Sequence, residues 1–328
     1  MRRLALLLAL VAGTSGCFVV LGNPLGFGRK HPLEETTLEG KGRAKILLVD
    51  VSGVISDEPS RRAFGLVETE STLARIKSEL EKAADDSRVK ALVVRVNSPG
   101  GGVTASDEIY GELRRFKVEE KRPIVAALGD VAASGGYYVA CAADTIVAAP
   151  TTVTGSIGVI LMNLNVEGLL GKIGVRNETF KAGLHKDILS PLRGVTPEER
   201  RIVQSIMDGL HARFIAVVKE GRGPHLDDGR LPELTDGRIF DATQALRAGL
   251  VDEIGSLRDA IEAAKKAAGV EEARVVTYHR TDETRENIYS RLEGARPGAV
   301  QVNVLPVETG MLGPGPRFMY LWAPGLVE

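Results

Sequence analysis

Ala91-Leu92-Val93-Val94-Arg95-Val96-Asn97-Ser98-Pro99-Gly100-Gly101-Gly102 passes from an apolar, largely β-branched run straight into a glycine-dense turn. Apolar at nearly every position, the run reads as a strand buried on both faces. The turn leads on to a helix, because Ile109, Leu113 and Phe116 recur at helical spacing. The same order repeats outward. Upstream, the strand Ile46-Leu47-Leu48-Val49 precedes a helix over about residues 72 to 84, with Leu73, Ile76, Leu80 and Ala83 on one face. Downstream come the strand Pro123-Ile124-Val125-Ala126-Ala127-Leu128, a helix after Ser134 and the strand Ile146-Val147-Ala148-Ala149. Strands separated by helical periods need crossover connections and pair mostly in parallel, so the fold class is α/β.

The second half is more helical. Thr196 is an N-cap, Pro197 stands at the first helical position and Glu199 completes a capping box. That helix should run to about Lys219 on the stripe Ile202, Ile206, Leu210 and Phe214, until Gly221 to Pro224 stop it. Asp241 with Gln244 starts another helix, Leu250-Val251 reads as a short strand, and Ser256 to Ala268 as a further helix. There is no internal repeat. At 328 residues, 44% hydrophobic and 26% charged, the chain is neither a disordered segment nor a disulfide-stapled miniprotein. With 42 basic against 43 acidic residues it has no global field to gather nucleic acid, which is excluded as a partner. The cysteines are Cys17 and Cys141, and Cys141, inside Val139-Ala140-Cys141-Ala142-Ala143, reads as a small buried hydrophobe.

The ends differ from the middle. Met1-Arg2-Arg3, the apolar run Leu4 to Ala12 and the small residues Gly13-Thr14-Ser15-Gly16-Cys17 read as an export signal, so residues 1–22 are a signal or membrane-anchor segment. Two tethers fit: lipidation of Cys17 after cleavage, as in a bacterial lipoprotein, or one transmembrane anchor extended through Phe18-Val19-Val20-Leu21. Either holds the protein at the cell membrane with its main domain outside the cytoplasm. Residues 23–43 read as a linker and 44–280 as the main domain. Residues 281–328 read as a tail, broken by Arg296-Pro297-Gly298 and Gly313-Pro314-Gly315-Pro316, that leaves Phe318-Met319-Tyr320-Leu321-Trp322 as an isolated apolar patch, loosely ordered or docked.

Three glycine-dense turns each follow a strand end: Asn97 to Gly102, Ala132 to Gly136 and Thr154-Gly155-Ser156-Ile157-Gly158. In parallel sheets sites gather at such ends. None has the lysine of a P-loop or the dinucleotide spacing with a following acid, so no phosphate-bearing cofactor is implied, and no metal is needed. Ala132-Ala133-Ser134-Gly135-Gly136 is the nucleophile-elbow pattern with Ala for the first Gly, which makes Ser134 the candidate nucleophile. Its hydroxyl needs a base. His31, His211, His225 and His279 lie in tail, helix or loop contexts, which leaves His185 and Lys186, adjacent in Gly183-Leu184-His185-Lys186-Asp187. The lysine serves only if burial away from a carboxylate strips its proton.

These segments, with Tyr137-Tyr138, Lys181-Ala182, Asp236-Gly237-Arg238-Ile239-Phe240 and Gly249-Leu250-Val251-Asp252, resemble bacterial signal peptide peptidase A, the protease IV family, over about residues 44 to 265 and in the short form with one catalytic domain per chain. The resemblance implies a Clp-protease-like and crotonase-like fold of repeated β-β-α units with a helical C-terminal extension. It also implies a Ser/Lys dyad and remnant signal peptides as substrate. Residue by residue, Ser134 matches the nucleophile and Lys186 the general base, with His185 the runner-up. Ser156 matches the hydroxyl that orients the lysine. The N–H groups of Gly135 and Gly101, the latter favoured over Gly100, would form the oxyanion hole. In the double-length form serine and lysine come from different repeats, so here they are expected from neighbouring subunits of a homo-oligomeric ring. Two other readings stand beside this one: an acyl-CoA hydratase or isomerase of the crotonase type, and an inactive scaffold.

Overall fold

The computed structural model describes residues 32–62, 67–226, 228–280, 283–284, 286–290, 293–294 and 318–322. The chain divides into two units, residues 1–32 and 33–328, and the second is described here. The export segment and Cys17 lie outside the described residues. Among the described residues no helix is long and apolar enough to cross a membrane.

The chain opens with β1 (Glu34–Gly40) and β2 (Ala44–Ser52), followed by the antiparallel pair β3 (Ser60–Arg62) and β4 (Val67–Thr69) and by α1 (Thr72–Asp85). The stretch that decides the fold forms β5 (Val89–Ser98), β6 (Gly100–Gly102) and α2 (Val103–Glu120), a strand–strand–helix unit of the expected kind. After it come β7 (Ile124–Ala133), α3 (Gly135–Ala140), β8 (Thr145–Ala148), β9 (Val153–Gly155) and β10 (Ile160–Leu161). The second half holds α4 (Glu167–Lys172), α5 (Pro197–Arg222), α6 (Leu231–Leu234), β11 (Ile239–Asp241), α7 (Ala242–Arg247) and β12 (Glu253–Ile254). The chain closes with α8 (Leu257–Ala267), β13 (Ala273–His279), the pair β14 (Glu283–Thr284) and β15 (Glu293–Gly294), and β16 (Phe318–Leu321).

The main sheet runs β1-β13-β2-β5-β7-β8-β12, with β9 against the far half of β7 and β11 beside β9. From β13 to β12 neighbouring strands are parallel, whereas β1 is antiparallel to β13. This is the α/β class read from the sequence, and burial on both faces explains why its strands are apolar at consecutive positions. In β2, Ile46 and Leu48 face Ala260, Ile261 and Ala264 of α8. Leu47 and Val49 point the other way, into the layer of Ile76, Leu80, Ile109 and Leu113 from α1 and α2.

Four details depart from the sequence reading. Glu34–Gly40, inside the stretch read as linker, is a strand, held by its ladder to β13 and by the 2.8 Å contact between Thr36 Oγ1 and His279 Nε2. Leu250-Val251 is not a strand. Gly249, at φ +73°, ends α7, and the Leu250 N–H reaches back to the Ala245 carbonyl (2.9 Å), so Leu250 serves as a buried helix cap and the strand starts at Glu253. α5 has the expected capping box, with the Glu199 N–H donating to Thr196 Oγ1 at 3.2 Å and the Thr196 N–H to Glu199 Oε2 at 3.0 Å. Only the C-terminal part of its apolar stripe is buried: Phe214, Val217 and Val218 pack inward, while Ile202 and Ile206 stay exposed. Finally, β7 continues past Leu128, because it changes partner from β8 to β9 after Gly129 and so carries the chain to the doorstep of Ser134.

Candidate active site

β5, β7 and β9 end side by side. Val96 pairs with Leu128, Ser98 with Ala132, and Ala133 with Gly155, so all three glycine turns leave the same edge of the sheet. At the first turn Ser98 is fully buried; its hydroxyl donates to the Gly53 carbonyl (2.6 Å) and accepts from the Gly100 N–H (3.0 Å), which fixes the turn. Gly100 stands at φ +103°, and a Cβ on Gly101 would lie 2.1 Å from the Ile55 carbonyl oxygen. Both positions therefore require glycine.

The second turn is strained. Ser134 sits at φ +51°, ψ −118°, outside the wells an L-residue prefers, in a sharp passage from β7 to α3. Its N–H donates to the Gly155 carbonyl (2.8 Å) and its carbonyl accepts from the Tyr138 N–H (2.9 Å). The side chain is buried and its Oγ has no hydrogen-bond partner among the described residues, an expensive arrangement unless the hydroxyl has a use. Gly135 and Gly136 permit the close approach. A Cβ on Gly135 would stand 2.5 Å from Ser106 Oγ and 3.2 Å from the Gly100 Cα, and one on Gly136 2.8 Å from the Ser98 carbonyl oxygen. A Cβ on Gly100 would stand 2.7 Å from the Gly135 nitrogen, so the first and second turns touch. Ser156 follows Gly155 on the third turn, at φ +52°, with little exposure and its N–H on the Arg238 carbonyl (2.7 Å).

Ser134, Gly135, Gly100, Gly101 and Ser156 thus converge, and Lys186 does not join them in the single chain. It is exposed in the turn 184–189, its N–H on the Gly183 carbonyl (3.2 Å), and its side chain makes no hydrogen bond or ion pair with the described residues. The burial a basic lysine needs is therefore not supplied by the described residues of its own chain. A charge network holds this turn in place. Arg193 binds Asp187 at 2.7 Å and Glu199 at 2.5 Å, and Lys181 adds a second contact to Asp187 at 2.5 Å. The Arg193 guanidinium holds Asp187 well below the usual carboxylate range and Glu199 down to about 2. His185 faces Glu198 at 3.7 Å and Glu199 at 4.0 Å, on the first turn of α5, and makes no bond to Ser134. Burial pushes the Cys141 thiol up to about 12, so it is no nucleophile at neutral pH.

Two contributors had no role in the sequence reading. Ser98 was visible inside its motif, but only the fold shows that its hydroxyl pins Gly100. The tail strand β16 lies between β10 and β6, with Tyr320 opposite Gly101, a pairing across more than two hundred residues that no local pattern announces. No group of His, Cys, Asp and Glu among the described residues is arranged to hold a metal.

Comparison with known proteins gives these likenesses. The model of peptidase family S49 matches residues 116–271. A putative signal peptide peptidase SppA of Enterococcus faecium is 38% identical over 256 residues, 78% of this chain and 73% of that protein. Protease 4 of Haemophilus influenzae is 35% identical over 68% of this chain, which spans only 34% of that longer protein. Among solved structures, a membrane-bound stomatin-specific protease is similar at a TM-score of 0.42 and 15% identity, over 69% of this chain and 86% of that one.

Proposed function

The chain belongs to peptidase family S49, and from that premise we propose that it is a membrane-tethered serine endopeptidase that hydrolyses remnant signal peptides and other apolar peptides outside the cytoplasm. Ser134 is the nucleophile and Lys186 the general base. The observation that carries this reading is the strained turn at Ser134, whose buried, unpartnered hydroxyl stands beside two glycine turns. Strain of this kind is kept where it serves a reaction.

The lysine reaches the serine from a neighbouring copy in a homo-oligomeric ring. Two features support this. Lys186 is exposed in its own chain, and the segment around it carries Leu164, Ile173, Phe180 and Leu184 outward, Phe180 at 95% and Leu184 at 70% exposure. Exposed apolar side chains of that kind mark an interface, and burial there would desolvate the amine and free its lone pair. The Ser134 oxygen then attacks the peptide carbonyl while its proton passes to Lys186 Nζ. The same proton goes to the leaving amine as the C–N bond breaks, and water, deprotonated by Lys186, releases the acyl group and restores Ser134. Ser156 orients the amine. The N–H groups of Gly101 and Gly135 receive the oxyanion, and losing one such donor typically costs about 2.7 to 4 kcal/mol of barrier.

A serine-directed fluorophosphonate and an apolar peptide ester test this on the full-length protein. Ser134 should be the labelled residue; Ser134→Ala and Lys186→Ala should each abolish ester cleavage in a folded assembly, and His185→Ala should spare it. Near-normal turnover in Lys186→Ala with loss in His185→Ala would transfer the base role to the histidine. An unlabelled Ser134 would end the reading.

A further inference from the structure

The strand that delivers Ser134 is out of step with the strand beside it. From Val96 to Ser98 β5 advances two residues, whereas their partners in β7, Leu128 and Ala132, are four apart, so β7 carries two extra residues at this point. Over the same span β7 leaves β8, where Leu128 pairs with Ala148, and joins β9, where Val131 pairs with Val153. Gly129 and Asp130 are left out of the register on both sides, and backbone groups there need partners other than a ladder.

Side chains supply them. The Thr152 hydroxyl, fully buried, donates to the Gly129 carbonyl at 2.7 Å, with the Leu128 carbonyl 3.1 Å away. Asn97 lies across the insertion from the β5 side: its Oδ1 accepts the Val131 N–H at 3.2 Å, and a Cβ on Gly129 would come within 3.3 Å of its side chain. The Thr154 hydroxyl, also fully buried, donates to the Ala132 carbonyl at 2.6 Å. Two residues beyond Ala132 the Ser134 N–H meets the carbonyl of Gly155, the neighbour of Thr154. We propose that Asn97, Thr152 and Thr154 are positioning residues for the reaction: their side chains stand in for the missing ladder across the insertion in β7 and so set where Ser134 lies against the glycine donors. The proposal rests on Ser134 being the nucleophile. The Ser134 hydroxyl has no partner among the described residues to hold it, so its aim is that of the backbone beneath it. A small displacement of that backbone takes the oxygen off its line of attack, at a cost in turnover and not in substrate binding.

Peptide-ester hydrolysis and fluorophosphonate labelling read the effect in the full-length protein. Thr154→Val keeps the shape of the side chain and removes its donor. It should lower kcat roughly ten- to a hundredfold with KM within about twofold of the parent, and slow the labelling of Ser134 alongside. Thr154→Ser, which restores the hydroxyl, should return to within about threefold of the parent. Thr36→Val, which removes the hydroxyl that meets His279 on β1 at the other edge of the sheet, should leave kcat and KM unchanged. Asn97→Ala should lower kcat in the same way, and Asn97→Asp, which keeps the acceptor, should not. Asn97 is only partly buried, so this pair carries the test if Thr154→Val does not fold. Parent-like kcat in Thr154→Val or Asn97→Ala, a change confined to KM, or a loss that Thr154→Ser does not restore would overturn the inference, and the peptidase reading would survive each of these. A parent protein whose Ser134 does not label would end both.

Discussion

Gly100 concentrates the demands of this fold on one α-carbon. At φ +103° it adopts a conformation that costs an L-residue strain, and the place a methyl group would take is 1.9 Å from the Tyr320 carbonyl oxygen and 2.7 Å from the Gly135 nitrogen. Neither neighbour is a flexible side-chain end. Gly100→Ala must therefore push the second turn away from the first and displace the Gly135 N–H. The expected loss is that of one oxyanion donor, roughly 10²- to 10³-fold in kcat on a peptide ester. A variant keeping more than a tenth of the parent rate would show that Gly135 is not a donor. Gly111 provides the contrast: it lies inside α2 with open space where a Cβ would go, so Gly111→Ala should stabilise by about 0.5 to 1 kcal/mol in urea unfolding and leave turnover unchanged.

At the scale of elements, the turn that carries Lys186 depends on charge more than on packing, for Leu184 is exposed and neither Ile188 nor Leu189 is fully buried, while Arg193 ties Asp187 to Glu199 at the head of α5. Both carboxylates titrate below their ordinary values of 3.8 and 4.5, so the bonds are fully present above that range and are lost as the pH falls, Glu199 giving way towards about 2. Pepsin works throughout this window. At pH 4.5 the parent should resist cleavage within residues 181–196 while Arg193→Gln is cut, and near pH 2, where Glu199 gives way but Asp187 stays paired, the difference should narrow without vanishing; equal susceptibility at both values would show that the network does not hold the turn. The contrast between α5 and this turn shows what was legible in the sequence. The capping box at Thr196 and Glu199 is local chemistry and was readable from four residues. So were the consecutive apolar strands and the elbow at Ser134, because each follows from backbone rules over a short span. Leu250 was misread because an apolar pair after a glycine suits a strand and a helix cap equally well, and only the φ of Gly249 decides between them. The place of Tyr320 depends on a register set by β6 and β10, which no pattern within the tail encodes.

Taken as a whole molecule, one copy brings the proposed nucleophile and its glycine turns together and leaves the proposed base apart from them. Among the described residues the hydroxyl is buried and unpartnered, the candidate base stands exposed, and several apolar residues between Leu164 and Leu192 remain uncovered together with Ile202 and Ile206 on α5. His185 beside Glu198 and Glu199 joins the lysine turn to the start of α5, so these exposed positions belong to neighbouring parts of one surface. A closed ring would bury that surface in head-to-tail contacts and bring each lysine turn to the next copy's serine. Such sharing has a distinctive signature. Ser134→Ala and Lys186→Ala chains should each be inactive alone, but when they are assembled together from an equal mixture, a site would be whole wherever a copy with its serine meets a neighbour with its lysine. Random assembly makes this true of about a quarter of the sites. Peptide-ester hydrolysis by the co-assembled mixture should therefore recover to about a quarter of the parent rate per chain, with fluorophosphonate labelling confined to the Lys186→Ala chains. A mixture as inactive as its components, in assemblies of the parent's size, would mean that serine and lysine must come from the same copy.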